Sequence, residues 1–230
     1  MKVLVLNGSP RKESNTLILT KTFLEGLTQN GKYDVEILNI IEKNIKYCLG
    51  DLSCWIRQDG HCIIDDDMNE ILDKIAVSDV LIWSFPLYEY GMPAPLKNLI
   101  DRTNPFLKME MYSTENRVLH ETVVDMTKKK NIIICGCGFP YFEDNFMGLR
   151  YQLKNIFIEP TVMCIYESGL ISVPEPQLEP VKEKLLKALK QAGIEYDKEG
   201  KISKELLEEI EQPMLPNEVY ISLINSLVKK

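Results

Sequence analysis

No apolar run in this chain approaches the ~20 residues that a membrane-spanning helix needs, so a helical integral membrane protein is excluded. Positive charge is in deficit. The 27 Lys and Arg face 34 Asp and Glu, for a net charge of −7, and the basic face that nucleic acid demands is missing. Internal repeats and low-complexity tracts are absent. That leaves one globular domain, or one domain with an appendage, for the 230 residues. Met1-Lys2 runs straight into a strand-like segment without the regions of a signal peptide, so the expected location is the cytoplasm and no membrane partner is expected. Six cysteines in such a compartment do not read as a disulfide framework.

What the chain does carry is ample apolar material, 45% of its residues, distributed in a regular rhythm. Five β-rich runs recur at Val3–Leu6, Val35–Leu38, Val80–Ser84, Ile132–Cys135 and Val162–Tyr166. Helical spacing marks Thr16–Leu27, Met68–Ala76, Ala94–Ile100 and Asn145–Ile156 between or after them. Strands alternating with helices predict an α/β fold, a parallel sheet covered on both sides. Five such strands suit a flavodoxin-like, doubly wound sheet of order 2-1-3-4-5. The expected domain spans residues 1–175. Residues 176–230 read as extra C-terminal helices, Val181–Ala192, Ser203–Ile210 and Asn217–Val228, packed on the same domain. Thr103–Lys130 is a polar excursion, with Lys128–Lys130 read as a solvated face.

In a sheet of this kind ligands sit beyond the carboxyl ends of the strands, at the point where strand order reverses. The loops that matter then begin at Gly8, Phe85 and Gly136. The first supplies hydroxyls from Ser9, Ser14 and Thr16, an amide from Asn15 and a fixed charge from Arg11, at the start of a helix. Helix N-termini offer free N–H groups to an anion, and Ser14 also reads as an ordinary helix cap. The second loop, Pro86-Leu87-Tyr88-Glu89-Tyr90-Gly91, has a backbone fixed by proline and glycine, and two tyrosines able to lie against a planar ring. The third, Gly136-Cys137-Gly138-Phe139-Pro140, is small enough for close backbone approach to the same ligand, and Cys137 is expected to face it.

Together these loops resemble the NADPH-dependent FMN reductase-like flavoproteins, and among them the iron–sulfur flavoprotein branch, over about residues 1–170. The resemblance implies that Ser9, Arg11, Ser14, Asn15 and Thr16 hold the FMN phosphate. It implies that Pro86, Leu87, Tyr88, Glu89 and Gly91, with Gly136 and Cys137, line the isoalloxazine. Glu89 and Tyr90 stand where family members often carry an aromatic residue and a glycine. NADH or NADPH would deliver hydride to flavin N5. A quinone, a nitro compound, free flavin or a redox protein would accept the electrons. No side chain need act as nucleophile or general base. A neighbouring subunit often completes such a site, which implies a homo-oligomer. A flavodoxin-type electron carrier without its own substrate is the competing reading.

Cys48, Cys54 and Cys62 resemble the cysteine cluster of the iron–sulfur branch, with Asp51 where a second cysteine is expected and Asp66 and Asp67 as helix caps. A cubane takes one thiolate per iron. Three readings stand: an iron–sulfur cluster, a zinc site to which His61 adds a ligand, and a relict loop of free thiols, the last being preferred. Cys135 and Cys164 read as small core residues.

Overall fold

The computed structural model describes residues 1–228. Five strands form one parallel sheet: β1 (Lys2–Asn7), β2 (Asp34–Asn39), β3 (Val80–Pro86), β6 (Lys130–Gly136) and β7 (Thr161–Ile165). Their order is β2-β1-β3-β6-β7, the flavodoxin-like order once the strands of this sheet alone are counted. Side chains on a strand alternate between faces, and here both faces are apolar. Leu4, Leu6, Leu81, Trp83, Ile133 and Cys135 point to one side. There they pack under α3 (Met68–Val77), α4 (Ala94–Asp101) and α5 (Met147–Ile156). Val3, Val5, Val80, Ile82, Ile132 and Ile134 point to the other, under α1 (Asn15–Leu27) and α6 (Glu179–Glu199). This double burial is why the strands are continuous apolar runs.

Helices α1 and α6 meet backbone to backbone. A Cβ on Gly26 would sit 1.9 Å from the Lys190 carbonyl oxygen, and one on Gly193 would sit 2.1 Å from that of Phe23. Glycine is therefore required at both positions, and α6 belongs to the helical layer of the sheet. It also runs past the expected Ala192 to Glu199, where Gly200, at φ 69°, takes the left-handed conformation that ends helices.

The polar excursion is structured. Strands β4 (Leu107–Ser113) and β5 (Val118–Thr122) form a separate antiparallel hairpin. It exposes Met109, Met111, Tyr112 and Val118. A short helix, α2 (Ser53–Arg57), docks on it: Trp55 donates to the Asn104 carbonyl at 3.1 Å and packs on His120 with ring centroids 4.7 Å apart. Lys129 corrects the expectation of a solvated lysine face. Its Nζ is drawn inward to the carbonyls of Ala76 and Ser78, at 2.7 and 2.8 Å, and burial lowers its pKa. Beyond α6 come α7 (Lys204–Ile210) and α8 (Asn217–Val228). Among the described residues no helix is long and apolar enough to cross a membrane.

Candidate functional site

The three loops named from the sequence converge at the carboxyl edge of the sheet. A cleft there is lined by Ser9, Arg11, Ser14, Asn15, Thr16, Pro86, Leu87, Tyr88, Gly136, Gly138, Phe139, Ser168 and Gly169. A second cavity, mainly apolar, lies at the opposite edge, where Ile75, Ile100 and Phe157 near the ends of α3, α4 and α5 surround Trp83 and Asn131. The carboxyl-edge cleft gathers several hydroxyls, an amide and a guanidinium; the other has only the Thr103 hydroxyl and the Asn131 amide and no charged group.

Each wall of the cleft has a local cause. Beyond β1 the chain is turned by its own side chains: Asn7 Oδ1 accepts from the Ser9 N–H, and Ser9 Oγ from the Arg11 N–H, both at 3.3 Å. Ser14 caps α1, accepting the Leu17 N–H at 3.1 Å. The N–H groups ahead of Leu17 therefore belong to cleft residues and are the ones an anion meets. Arg11 is exposed while Ser9, Ser14 and Thr16 are buried. This donor set fits a phosphate.

The second wall is a tight hairpin. Tyr88 and Gly91 exchange backbone hydrogen bonds at 3.1 and 2.9 Å, with Glu89 (φ 45°) and Tyr90 (φ 60°) as the two turn residues. Two left-handed central residues make a type I′ turn, which favours Asn-Gly. Glu-Tyr holds it here against steric preference, a strain typical of ligand clamps. Glu89 and Gly91 shape this turn but are not among the residues that line the cleft; Tyr88 lines it, and Tyr88 and Tyr90 are exposed.

The third wall joins the ends of β6 and β7. Leu87 N–H donates to the Gly136 carbonyl at 2.8 Å, tying the second wall to the third. A Cβ on Gly136 would lie 2.8 Å from both Thr16 Oγ1 and Ser168 Oγ, so glycine lets the first helix and the last strand close on each other. Cys137 is buried, and burial raises its pKa. Its Sγ accepts the Phe139 N–H at 3.4 Å, which turns the thiol away from the role of a cleft-facing nucleophile. Gly138 and Phe139 belong to the loop expected from the sequence, whereas Ser168 and Gly169 were not found by sequence reasoning. The signal available was the end of the fifth strand, which also terminates at this edge.

The cysteines after β2 lie in a loop anchored from a distance. Arg102, at the end of α4, and Asp66 form a fully buried ion pair, Nη1 to Oδ2 at 2.7 Å and Nη2 to Oδ1 at 3.1 Å. Arg102 Nη1 also donates to the Lys46 carbonyl at 2.6 Å, and Asn98 Nδ2 to that of Ile45 at 2.7 Å. Burial opposes the charge on Asp66, but Arg102 and the N–H groups of Lys46 and Met68 outweigh it and hold the carboxyl below the usual carboxylate range. Asp66 does accept the Met68 N–H at the helix start, as expected of a cap. Asp67 instead receives the Asn44 N–H at 2.7 Å.

Cys48 is exposed and Cys54 and Cys62 are half-buried. Burial, then the nearby Cys62 and Cys48, push the Cys54 thiol up. Asp51 accepts the Ser53 N–H at 2.9 Å, which caps α2. Three thiols and a carboxylate spent on a helix cap do not fit a four-thiolate cluster. Among the described residues no group of three or more His, Cys, Asp or Glu is arranged to hold a metal ion.

The profile of the NADPH-dependent FMN reductase family matches residues 1–130, and the chain belongs to that family. An iron–sulfur flavoprotein of Methanocaldococcus jannaschii is 37% identical over 105 residues, 46% of this chain and 53% of the relative. The chain thus spans about half the length of the iron–sulfur flavoproteins with which it aligns. An FMN-dependent NADH:quinone oxidoreductase of Macrococcus caseolyticus is 27% identical over 195 residues, 76% of this chain and 90% of the relative. The crystal structure of an azoreductase from Bacillus anthracis superimposes with a TM-score of 0.62 at 15% identity, covering 86% of this chain and 99% of the other, a likeness of fold.

Proposed function

We propose that the chain is an FMN-dependent NAD(P)H oxidoreductase, passing electrons to a small acceptor such as a quinone, nitro compound or flavin, or to a redox protein. The observation that carries this reading is the convergence of a capped helix N-terminus, Arg11 and a strained aromatic turn on one cleft at the switch point of the sheet. Bound FMN supplies hydride chemistry between a nicotinamide and the acceptor. Arg11 would neutralise its phosphate, and Ser9, Ser14, Asn15 and Thr16 would hold it from a preformed turn. The backbone of Pro86–Tyr88 and of Gly136–Phe139 would line the ring edge. Tyr88 and Tyr90 give the open side an aromatic rim for a flat cosubstrate.

The protein's six unpaired cysteines support a reducing, cytoplasmic setting. The apolar residues exposed on the β4–β5 hairpin support a homo-oligomer. FMN titration followed by stopped-flow mixing of the loaded protein with NADH or NADPH tests the reading. Bleaching of the flavin band within seconds is expected. Reduction over hours would leave the electron-carrier reading, and no binding of FMN would end both.

A further inference from the structure

The third wall of the cleft is held from behind by a segment that sequence reasoning treated as an appendage. Beyond the last sheet bonds, the loops after β6 and β7 are joined mainly to each other: Ser168 N–H donates to the Cys137 carbonyl at 2.8 Å and Glu167 N–H to that of Phe139 at 3.1 Å. The C-terminal segment then grips both. Tyr220, buried, donates its hydroxyl to the Gly138 carbonyl. Asn217 Nδ2 donates to the Tyr141 carbonyl at 3.0 Å. Glu167, fully buried and at φ 55°, accepts the Leu215 N–H at 2.9 Å through Oε2, while its Oε1 has no partner among the described residues.

A buried carboxylate with one unpaired oxygen, on a left-handed backbone, is a costly arrangement on two counts. It is concentrated at the residue that links cleft wall and tail. Asn15, from the phosphate loop, donates to the Gly169 carbonyl at 3.3 Å, so the same turn reaches the first wall.

The segment is anchored in a core of its own. Tyr220 packs with Leu170 and Leu178 in a small cluster that touches the core under α1 and α6 through the half-buried Met214. Small clusters open at lower free energy than the main core. We propose that the segment Pro213–Tyr220 is a latch: docked, it sets the spacing of the 136–139 and 167–169 loops that takes the flavin, with Tyr220 and Glu167 as its positioning residues. This inference rests on the flavin reading given above. Coupling between two sites is reciprocal, so flavin in the cleft must in turn tighten the latch.

The experiment pairs FMN titration with amide hydrogen exchange on wild type, Tyr220→Phe, Glu167→Gln and Glu167→Ala. Tyr220→Phe removes one hydroxyl and is expected to bind FMN roughly three- to tenfold more weakly, the span of one lost hydrogen bond. Its apoprotein exchanges faster at 136–141 and 167–170, with β1 and β3 unchanged. Glu167→Gln keeps an acceptor for Leu215 and is expected to stay near wild type, where Glu167→Ala does not. Saturating FMN slows exchange at 213–222 in wild type. The latch is overturned if Tyr220→Phe binds FMN as wild type does, if its faster exchange spreads over the whole sheet, or if bound FMN leaves 213–222 unprotected. Failure of wild type to bind FMN removes the flavin reading instead, and the apoprotein exchange of Tyr220→Phe then decides the latch alone.

Discussion

The loop after β1 and the loop after β2 leave the same edge of the same sheet, yet they are built on opposite principles. The first is fixed from within: Asn7, Ser9 and Ser14 each bond a backbone N–H two or three residues ahead. The second, which carries Cys48, Cys54 and Cys62, is fixed from without, by Arg102 and Asn98 on α4. A self-bonded loop keeps its shape whatever lies opposite it, which suits a phosphate cradle. An externally tethered loop is as rigid as the elements that anchor it.

The sharpest way to break that contrast is Arg102→Ala. It leaves the Asp66 carboxylate buried and unpaired, and a loss of about 3–5 kcal/mol is expected, read from urea unfolding. Next is Arg11→Ala. It should weaken FMN binding by about 1.5–3 kcal/mol and leave the unfolding midpoint in place, since Arg11 is exposed and its side chain is not what turns the loop; an unchanged dissociation constant would put the phosphate elsewhere.

Asp66→Asn keeps the shape but removes the charge. At neutral pH a destabilisation of about 1.5–3 kcal/mol is expected, the range for charged hydrogen bonds. The folded pKa of Asp66 lies below its unfolded value. Its contribution is therefore complete above the unfolded pKa, near pH 4, and is lost as pH falls through the folded value. The gap between wild type and Asp66→Asn should close in acid; a gap that persisted at pH 2 would mean packing, and not charge, anchors the loop. The smallest effect is that of Ser14→Ala, about 1 kcal/mol for a lost helix cap, accompanied by weaker FMN binding. Thermal unfolding of the apoprotein and FMN titration separate its two roles.

The same contrast decides what could be read from residues alone. Continuous apolar runs reveal strands buried on both faces, and the run Gly8–Thr16 reveals a helix start because its bonds span two or three residues. The Arg102–Asp66 pair joins residues far apart in the chain, with nothing local to announce it, and Asp66 was legible only as a cap. The β4–β5 hairpin escaped although Leu107-Lys108-Met109-Glu110-Met111 alternates apolar and charged residues: the run is short, and Met109 and Met111 are exposed, so the segment reads as part of a polar excursion. Ser168 and Gly169 escaped because they follow a strand at the edge of the sheet, away from the reversal in strand order that points to the other loops. The element that carries Cys54, α2, is too short for helical periodicity to register.

The glycine contact between α1 and α6 bears on how the protein is made. The helix whose first turn faces the cleft is gripped at its other end by residues that the ribosome adds after all five strands of the sheet. A growing chain that has passed Gly8–Thr16, and even the whole of β3, still lacks the surface against which Gly26 seats. The proposed phosphate cradle is thus made before its brace, so a nascent fragment halted before Gly193 has the loop and not its brace.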